Sequence, residues 1–329
     1  MLDKIAQNLL NERLLNTCSQ KAEEYILKAW HWLLAYPDAL ISFIPKKIIR
    51  NKLKINPERI VFMTNSFNYT CNPKYICEKL LEDTSYEIIW LTDNLKKKRS
   101  TFPAGAKLLQ YDSMEAFYYV YTARLWISNG VDFSNYFDKK KGQYKIQTMH
   151  GSLGIKRLDN AITARNKKGF FGHRVVRRET RDTDLVITNS LFEENVFRSI
   201  FWKNTPMKRL GHARTDILFG NDEKALKYIR QRVYEHYGIS PDRKLIIFGP
   251  THRIGMTFED ISFDCDRLVA AAEKKFGGKY AILYRLHNRN VKLISNIKQG
   301  KTVFNVTEYP DMQELMMISD IAITDYSSW

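Results

Sequence analysis

The chain has 329 residues, more than one ordinary core needs, and its length predicts about two domains. An apolar content of 44% fits a folded globular protein, and the formal net charge of +16 indicates an anionic partner: a nucleotide, a phosphate polymer, a membrane surface or nucleic acid. The cysteines form no CxxC pair, which argues against a structural zinc site, and their sparse use is typical of a reducing cytosol.

Residues 1–57 are predicted to form a helical segment that carries no signal peptide. The most apolar run, from Ala29 to Ile44, is interrupted by Pro37 and is shorter than the roughly 20 residues that a membrane-spanning helix needs. Tryptophans followed by basic residues between 46 and 54 are typical of a helix on an anionic membrane surface. A helix packed on the protein's own core explains the same pattern equally well.

From residue 58 onward, short apolar runs alternate with helical patterns. This alternation predicts a parallel sheet with helices on both faces. The predicted strands are 60–63, 88–91, 125–127, 144–148, 185–187 and 207–210, and the predicted helices are 73–81, 113–123, one that opens at Asn189 and Ser190, and 222–237.

The pattern restarts after a boundary near residue 240, with strands at 244–248, 280–284, near 303 and at 321–324 and helices at 264–275 and 311–318. We therefore predict an α/β fold of two doubly wound units, an N-terminal domain 58–240 and a C-terminal domain 241–329. Only Trp329 follows Ser328, so we expect the C-terminal unit to be incomplete and to lack the helix after its last turn.

Doubly wound sheets bind ligands beyond the carboxyl ends of their strands, and polar segments lie at these positions here. A histidine can act as a general base, an arginine fork suits phosphate, and serines at a helix start donate to anions. Each group also fits an ordinary structural role, such as a loop histidine, a surface ion pair or an N-cap serine. The segments contain His150 and Gly151; Arg214; Thr251 and His252; Arg285 and His287; and Ser327 and Ser328.

Several enzyme and binding classes leave no trace in the sequence. It contains no GxGxxG or P-loop motif, no GxSxG elbow and no HExxH. No helix-turn-helix, zinc-finger or RNP pattern points to nucleic acid.

Taken in order, these segments resemble the CDP-glycerol glycerophosphotransferases of teichoic acid and capsule synthesis, including their ribitol-phosphate relatives. Residues 147–152 stand where that family has Gln-Thr-Trp-His-Gly-Thr, and residues 211–216, 250–253, 285–287 and 324–328 resemble its later motifs. The resemblance covers about residues 58–329. Met149 replaces a Trp, Ser152 a Thr and His252 a Trp, departures that alter the walls of the cleft and leave the acceptor and the polyol open.

The resemblance implies a GT-B-like architecture with the active site in a cleft between two Rossmann-like units. It implies transfer of glycerol phosphate from CDP-glycerol, or of ribitol phosphate from CDP-ribitol, to a polymer or lipid-linked glycan hydroxyl, without cofactor or metal. His150 and His287 would serve the reaction. The donor would be bound by Gly151, Ser152, Leu153, Gly154, Arg214, Thr251, His252, Arg285, Leu286, Ser327 and Ser328.

The resemblance and the charge also predict a cytoplasmic protein that lies peripherally on the inner face of the membrane and has no nucleic-acid partner. Two other functions stay open. A GT-B glycosyltransferase would use a nucleotide sugar, and a non-catalytic binding protein would hold an anionic polymer without forming CMP.

Overall fold

The computed structural model describes residues 49–83, 85–151, 169–220, 222–251, 255, 257–287, 290, 293, 295, 297, 300–325 and 327. The chain divides into two compact parts between Lys54 and Ile55. Both sheets described below lie within the second part, residues 55–329. Most of the predicted helical segment 1–57 therefore lies outside the described residues. Within the described ranges, no helix is both long and apolar enough to cross a bilayer.

In the part of the chain that is described, the larger sheet has seven parallel strands in the order β3-β2-β1-β4-β5-β6-β7. The central strands are covered on both faces, and Val61, Phe62 and Trp90 are fully buried. The strand order reverses between β1 and its neighbour β4, which is where such a sheet opens a crevice for ligands. The strands are β1 Asn56–Met63, β2 Glu87–Thr92, β3 Lys107–Gln110, β4 Ala123–Ser128, β5 Tyr144–Gln147, β6 Leu185–Thr188 and β7 Met207–Arg209.

Two of the helices beside this sheet begin at serine N-caps whose side chains accept hydrogen bonds. Ser113 accepts a hydrogen bond from the Ala116 amide, and Ser190 accepts one from the Glu193 amide, which confirms the helix start predicted there. The sequence patterns missed β3 and the helix at 169–182. The helices are α1 Cys71–Leu80, α2 Leu95–Lys98, α3 Met114–Thr122, α4 Asp132–Tyr136, α5 Gly169–Asp182, α6 Leu191–Ile200 and α7 Asp216–Phe219, with 3₁₀ turns at Arg99–Thr101 and Ala213–Thr215.

A second parallel sheet has the order β10-β9-β8-β11 among the described residues. It contains β8 Arg243–Gly249, β9 Lys279–Tyr284, β10 Val303–Asn305 and β11 Ile321–Thr324, and its helices are α8 Glu223–Tyr237, α9 Cys265–Phe276 and α10 Met312–Met317. Each of these elements lies within two residues of its predicted position. The two doubly wound α/β units expected from the sequence are therefore present.

Helix α8 precedes the domain boundary predicted near residue 240 and packs on the second sheet. Its Ile229 and Val233 pack against Leu245 and Ile247 of β8, in the core of the second sheet. The helix ends at Gly238, whose φ of 66° lies in the left-handed region that glycine adopts without strain. The apolar residues of α8 therefore contribute to the core of the second sheet, and the domain bounds stay a prediction.

Candidate functional site

The carboxyl edges of the two sheets meet at a buried ion cluster. Lys74 lies in the first turns of α1, beyond β1, and Asp311 is the N-cap of α10, beyond β10. The Lys74 Nζ atom is 2.5 Å from Asp311 Oδ2 and 2.9 Å from Glu314 Oε1. A cavity of about 1190 Å³ opens beside this contact and is lined from both units, by Tyr69 on one side and Tyr309 on the other. None of the described residues that line this cavity is among the predicted site residues.

His150 is exposed and lies just beyond the carboxyl end of β5 in the first sheet. Its Nδ1 is 2.6 Å from the Asn129 carbonyl oxygen, which can only accept, so Nδ1 carries the proton. In the neutral ring Nε2 is then the basic nitrogen, and it lies 3.4 Å from the side-chain nitrogen Nδ2 of Asn65. The ring is thus held in the tautomer that a general base needs.

Arg214 is brought to the same loop from the turn after β7. Its Nη1 donates to the His150 carbonyl oxygen at 2.8 Å, and its main-chain N–H donates to Asn72 Oδ1 at 3.1 Å. Two segments that are 64 residues apart in sequence therefore share one site. With 7% of its surface exposed, Arg214 braces the His150 loop, and its contact with a donor stays a prediction.

A fully buried ion pair between Lys145 and Glu179 lies next to β5, the strand that leads to the His150 loop. Glu179 Oε2 lies 2.6 Å from Lys145 Nζ and accepts from Ser134 Oγ at 2.7 Å, while Oε1 accepts from Gln147 Nε2 at 3.0 Å. Burial raises the pKa of Glu179, but the Lys145 charge and these hydrogen bonds outweigh burial and hold the pKa below its ordinary value. The carboxylate is therefore ionised and fixes β5 to α5.

On the C-terminal side, Thr251 and Asp325 tie the ends of β8 and β11 together. The Thr251 amide and hydroxyl donate to Asp325 Oδ1 at 2.8 Å and 2.5 Å. Thr251 is 4% exposed and its hydroxyl proton is engaged within the protein, so it acts here as a link between strands. Ser327 follows two residues beyond Asp325 and is half-buried.

The three residues after β9, 285–287, differ in their contacts and burial. Arg285 Nη1 donates to the Tyr309 carbonyl oxygen at 2.7 Å, and burial lowers the pKa of its guanidinium. His287 is exposed. Leu286 is 3% exposed and packs in the core of the second sheet, and its predicted contact with a donor stays a prediction.

The remaining predicted donor-binding residues follow His150 and the ends of β8 and β11. Gly151 is half-buried beside His150. The others lie outside the described residues: Ser152, Leu153, Gly154, His252 and Ser328.

Three asparagines at the site received no role from the sequence: Asn65, Asn72 and Asn129. Asn65 lies two residues after the end of β1 and Asn129 directly follows β4, and these strands are neighbours at the switch point, so the strand-end rule applied to both asparagines as well. Asn72 lies within the first turn of a helix, where no sequence signal distinguishes it. Its importance appears only from its partners.

Comparisons with known proteins agree with this geometry. Residues 46–329 match the family described as CDP-Glycerol:Poly(glycerophosphate) glycerophosphotransferase. The chain is 31% identical over 293 residues to a teichoic acid poly(glycerol phosphate) polymerase of Staphylococcus epidermidis, covering 83% of this chain and 38% of the relative. It is 26% identical to the Bacillus spizizenii polymerase of the same name, covering 83% of this chain and 70% of that one.

Solved structures of the wall teichoic acid polymerase TagF are also similar. One superimposes with a TM-score of 0.67 at 28% identity and covers 92% of this chain and 75% of that chain. A variant of that polymerase soaked with CDPG gives a TM-score of 0.63 at 29% identity, covering 83% of this chain and 67% of that chain.

The chain spans 38% of the length of the Staphylococcus epidermidis relative. The family match covers most of the sequence, and the GT-B-like arrangement of two parallel sheets agrees with the TagF likeness. The chain therefore belongs to the CDP-glycerol:poly(glycerophosphate) glycerophosphotransferase family.

Proposed function

We propose that this chain transfers glycerol phosphate, or a related polyol phosphate, from its CDP ester to a hydroxyl group of an anionic polymer or glycan. The observation that carries the proposal is the exposed His150, held with Nδ1 protonated toward Asn129. The family match and the names of the polymerase relatives support the same reaction.

In the proposed reaction, the acceptor hydroxyl oxygen attacks the β-phosphorus of the donor. A new phosphorus–oxygen bond forms while the bond from that phosphorus to the CMP oxygen breaks, and CMP leaves. His150 Nε2 takes the proton of the attacking hydroxyl. Such a transfer depends mainly on positioning and charge neutralisation, because little covalent chemistry falls to the protein.

On the donor side, we assign Arg285, His287 and Ser327 to the diphosphate. All three follow strands of the second sheet, β9 or β11, at their carboxyl ends. An arginine fork and hydroxyl donors fit phosphate oxygens. The proposal gives Thr251 and Leu286 supporting roles, since both are buried.

The decisive experiment compares donors. The purified chain is incubated with CDP-glycerol, CDP-ribitol or a UDP-sugar, each with an oligo(glycerol phosphate) acceptor, and released nucleotide and acceptor mass are measured. The proposal expects CMP together with acceptor grown by one polyol phosphate. Release of UDP with sugar transfer would favour a glycosyltransferase, and polymer binding without any CMP would favour a non-catalytic protein.

A further inference from the structure

Asn72 is a buried amide that connects three segments of the site. Its Nδ2 donates to the carbonyl oxygens of Thr148 at 3.0 Å and Met149 at 2.9 Å. Its Oδ1 accepts from the main-chain N–H of Arg214 at 3.1 Å. Asn72 is 1% exposed, so it does not meet a substrate itself. It instead joins α1 to the loops that present His150 and Arg214.

Met149, the residue before His150, has a conformation that needs such support. Its φ of 53° is left-handed, which is unfavourable for a residue with a side chain. Both of its main-chain polar groups are bonded to side-chain amides: the N–H donates to Gln147 Oε1 at 3.0 Å, and the carbonyl accepts from Asn72. This backbone turn sets the direction in which the His150 ring leaves the strand.

The start of α1 is shaped in the same way. Cys71, immediately before Asn72, also has a left-handed φ of 62°. The N-cap Thr70 makes no side-chain capping bond, although threonine commonly caps helices. Backbone strain of this kind persists where the surroundings fix it, and it is frequent at functional sites. Here the strained residue Cys71 directly precedes Asn72, whose side-chain amide bonds to the residues that follow β5.

We propose that Asn72 is a positioning residue for the transfer reaction. It fixes the turn at Met149 so that the His150 ring keeps its Nδ1–H bond to Asn129 and presents Nε2 as the base. It also holds the main chain of Arg214 in register with that loop. The catalytic consequence rests on the proposed function, whereas the effect on the His150 ring does not.

The test uses Asn72→Ala and the nearly isosteric Asn72→Asp, which lacks both N–H donors. For CMP release we expect kcat to fall roughly 10- to 100-fold, while KM for CDP-glycerol changes by less than about threefold, since misplacement of a catalytic group costs rate more than binding. Asn94→Asp is the matched control, because Asn94 is an exposed N-cap where aspartate serves equally well.

A second measurement is independent of turnover. Nitrogen-15 NMR of histidine-labelled protein, assigned with His150→Gln, reports the tautomer of the His150 ring. The wild type should show the Nδ1-protonated form, and Asn72→Ala should show a mixture of tautomers. A structural contact with no positioning role would leave this signal unchanged.

The outcomes separate the two proposals. If the wild type releases no CMP, the proposed function fails, and the tautomer comparison still decides the role of Asn72. An unchanged tautomer, or wild-type kcat in both variants, would overturn the positioning role. If Asn72→Ala does not fold, Asn72→Ser takes its place, and failure of all three variants to fold would show that Asn72 is structural only.

Discussion

At the scale of single residues, hydrogen bonds decide which polar atoms of the site are occupied within the protein and which stay available to a ligand. The Asn129 carbonyl fixes the proton on His150 Nδ1. Asp325 Oδ1 instead accepts a hydrogen bond from the Thr251 hydroxyl. Residue types that looked equivalent as strand-end polar groups therefore differ in their surroundings: Thr251 is buried, whereas the His150 ring is exposed with its Nδ1 proton fixed.

Replacement of His150 by alanine should lower kcat for CMP release by roughly a hundredfold, because a positioned general base contributes a factor of that order. Affinity for CDP-glycerol, measured by isothermal titration calorimetry, should change little. Phe276→Ala, at an exposed site at the end of α9, serves as the control and should retain full turnover. Near-normal turnover of His150→Ala would remove His150 from the mechanism.

Replacement of Arg285 by lysine should weaken CDP-glycerol binding. Lysine lacks the planar fork with which one guanidinium can hold the Tyr309 carbonyl oxygen and still face a phosphate. Arg99→Lys, at an exposed position, is the matched control for the same chemical change. Calorimetric affinities that stay at the wild-type value in both Arg285→Lys and His287→Ala would refute the donor assignment.

At the scale of elements, α1 of the first sheet and α10 of the second sheet meet through buried charged side chains. Glu314 accepts from Lys74 and from the Tyr309 hydroxyl at 2.5 Å, and it pairs with Arg232. Burial raises the pKa of Glu314, but these partners outweigh burial, so the net pKa lies below its ordinary value. An ionised Glu314 thus stabilises the folded state.

Glu314→Gln should lower the free energy of unfolding at pH 7 by roughly 1–3 kcal/mol, the usual cost of losing hydrogen bonds to a charged group. Because the folded pKa is depressed, this stabilisation is complete above the unfolded pKa of about 4.3 and is lost as pH falls through the folded value. Urea titrations from pH 7 to pH 3 should therefore show the two proteins converge in acid. A constant difference at every pH would contradict this role.

Glu78→Gln provides the matched control for the same substitution in the same cluster. Partial desolvation raises the pKa of Glu78, whose side chain is 47% exposed, and the nearby carboxylates of Asp311 and Glu314 raise it further despite Lys74 at 3.9 Å. With a raised folded pKa, the ionised carboxylate opposes folding at neutral pH. Glu78→Gln should consequently cause no loss of stability at pH 7, and a loss equal to that of Glu314→Gln would show that the cluster is misassigned.

At the scale of the whole molecule, the net charge of +16 suits an anionic polymer and an anionic membrane face. The basic residues between 46 and 54 follow the tryptophan-containing run. We expect liposome co-sedimentation to require anionic lipid and to weaken as salt rises. Neutral phosphatidylcholine vesicles are the control, and binding that ignores lipid charge would favour packing of the segment on the protein's own core.

The sequence by itself determined most of the strands and longer helices, because their signals are local. Alternating apolar runs located strands such as β9 and β11, and the pair Asn189 and Ser190 marked a helix start. The strand-end rule then selected His150 and Arg214. Strand β3, only four residues long and bounded by Lys107, carried too weak a pattern to be found.

Only the tertiary structure decided which of these residues act together. Arg214 meets His150 because β5 and β7 flank β6 in one sheet, and α8 joins the second sheet because its apolar stripe fits β8. Leu286 is buried by residues distant in sequence. Asn72 likewise bonds to two distant segments, at Thr148 and at Arg214. Local patterns carry no information on such contacts, since packing of whole elements sets them.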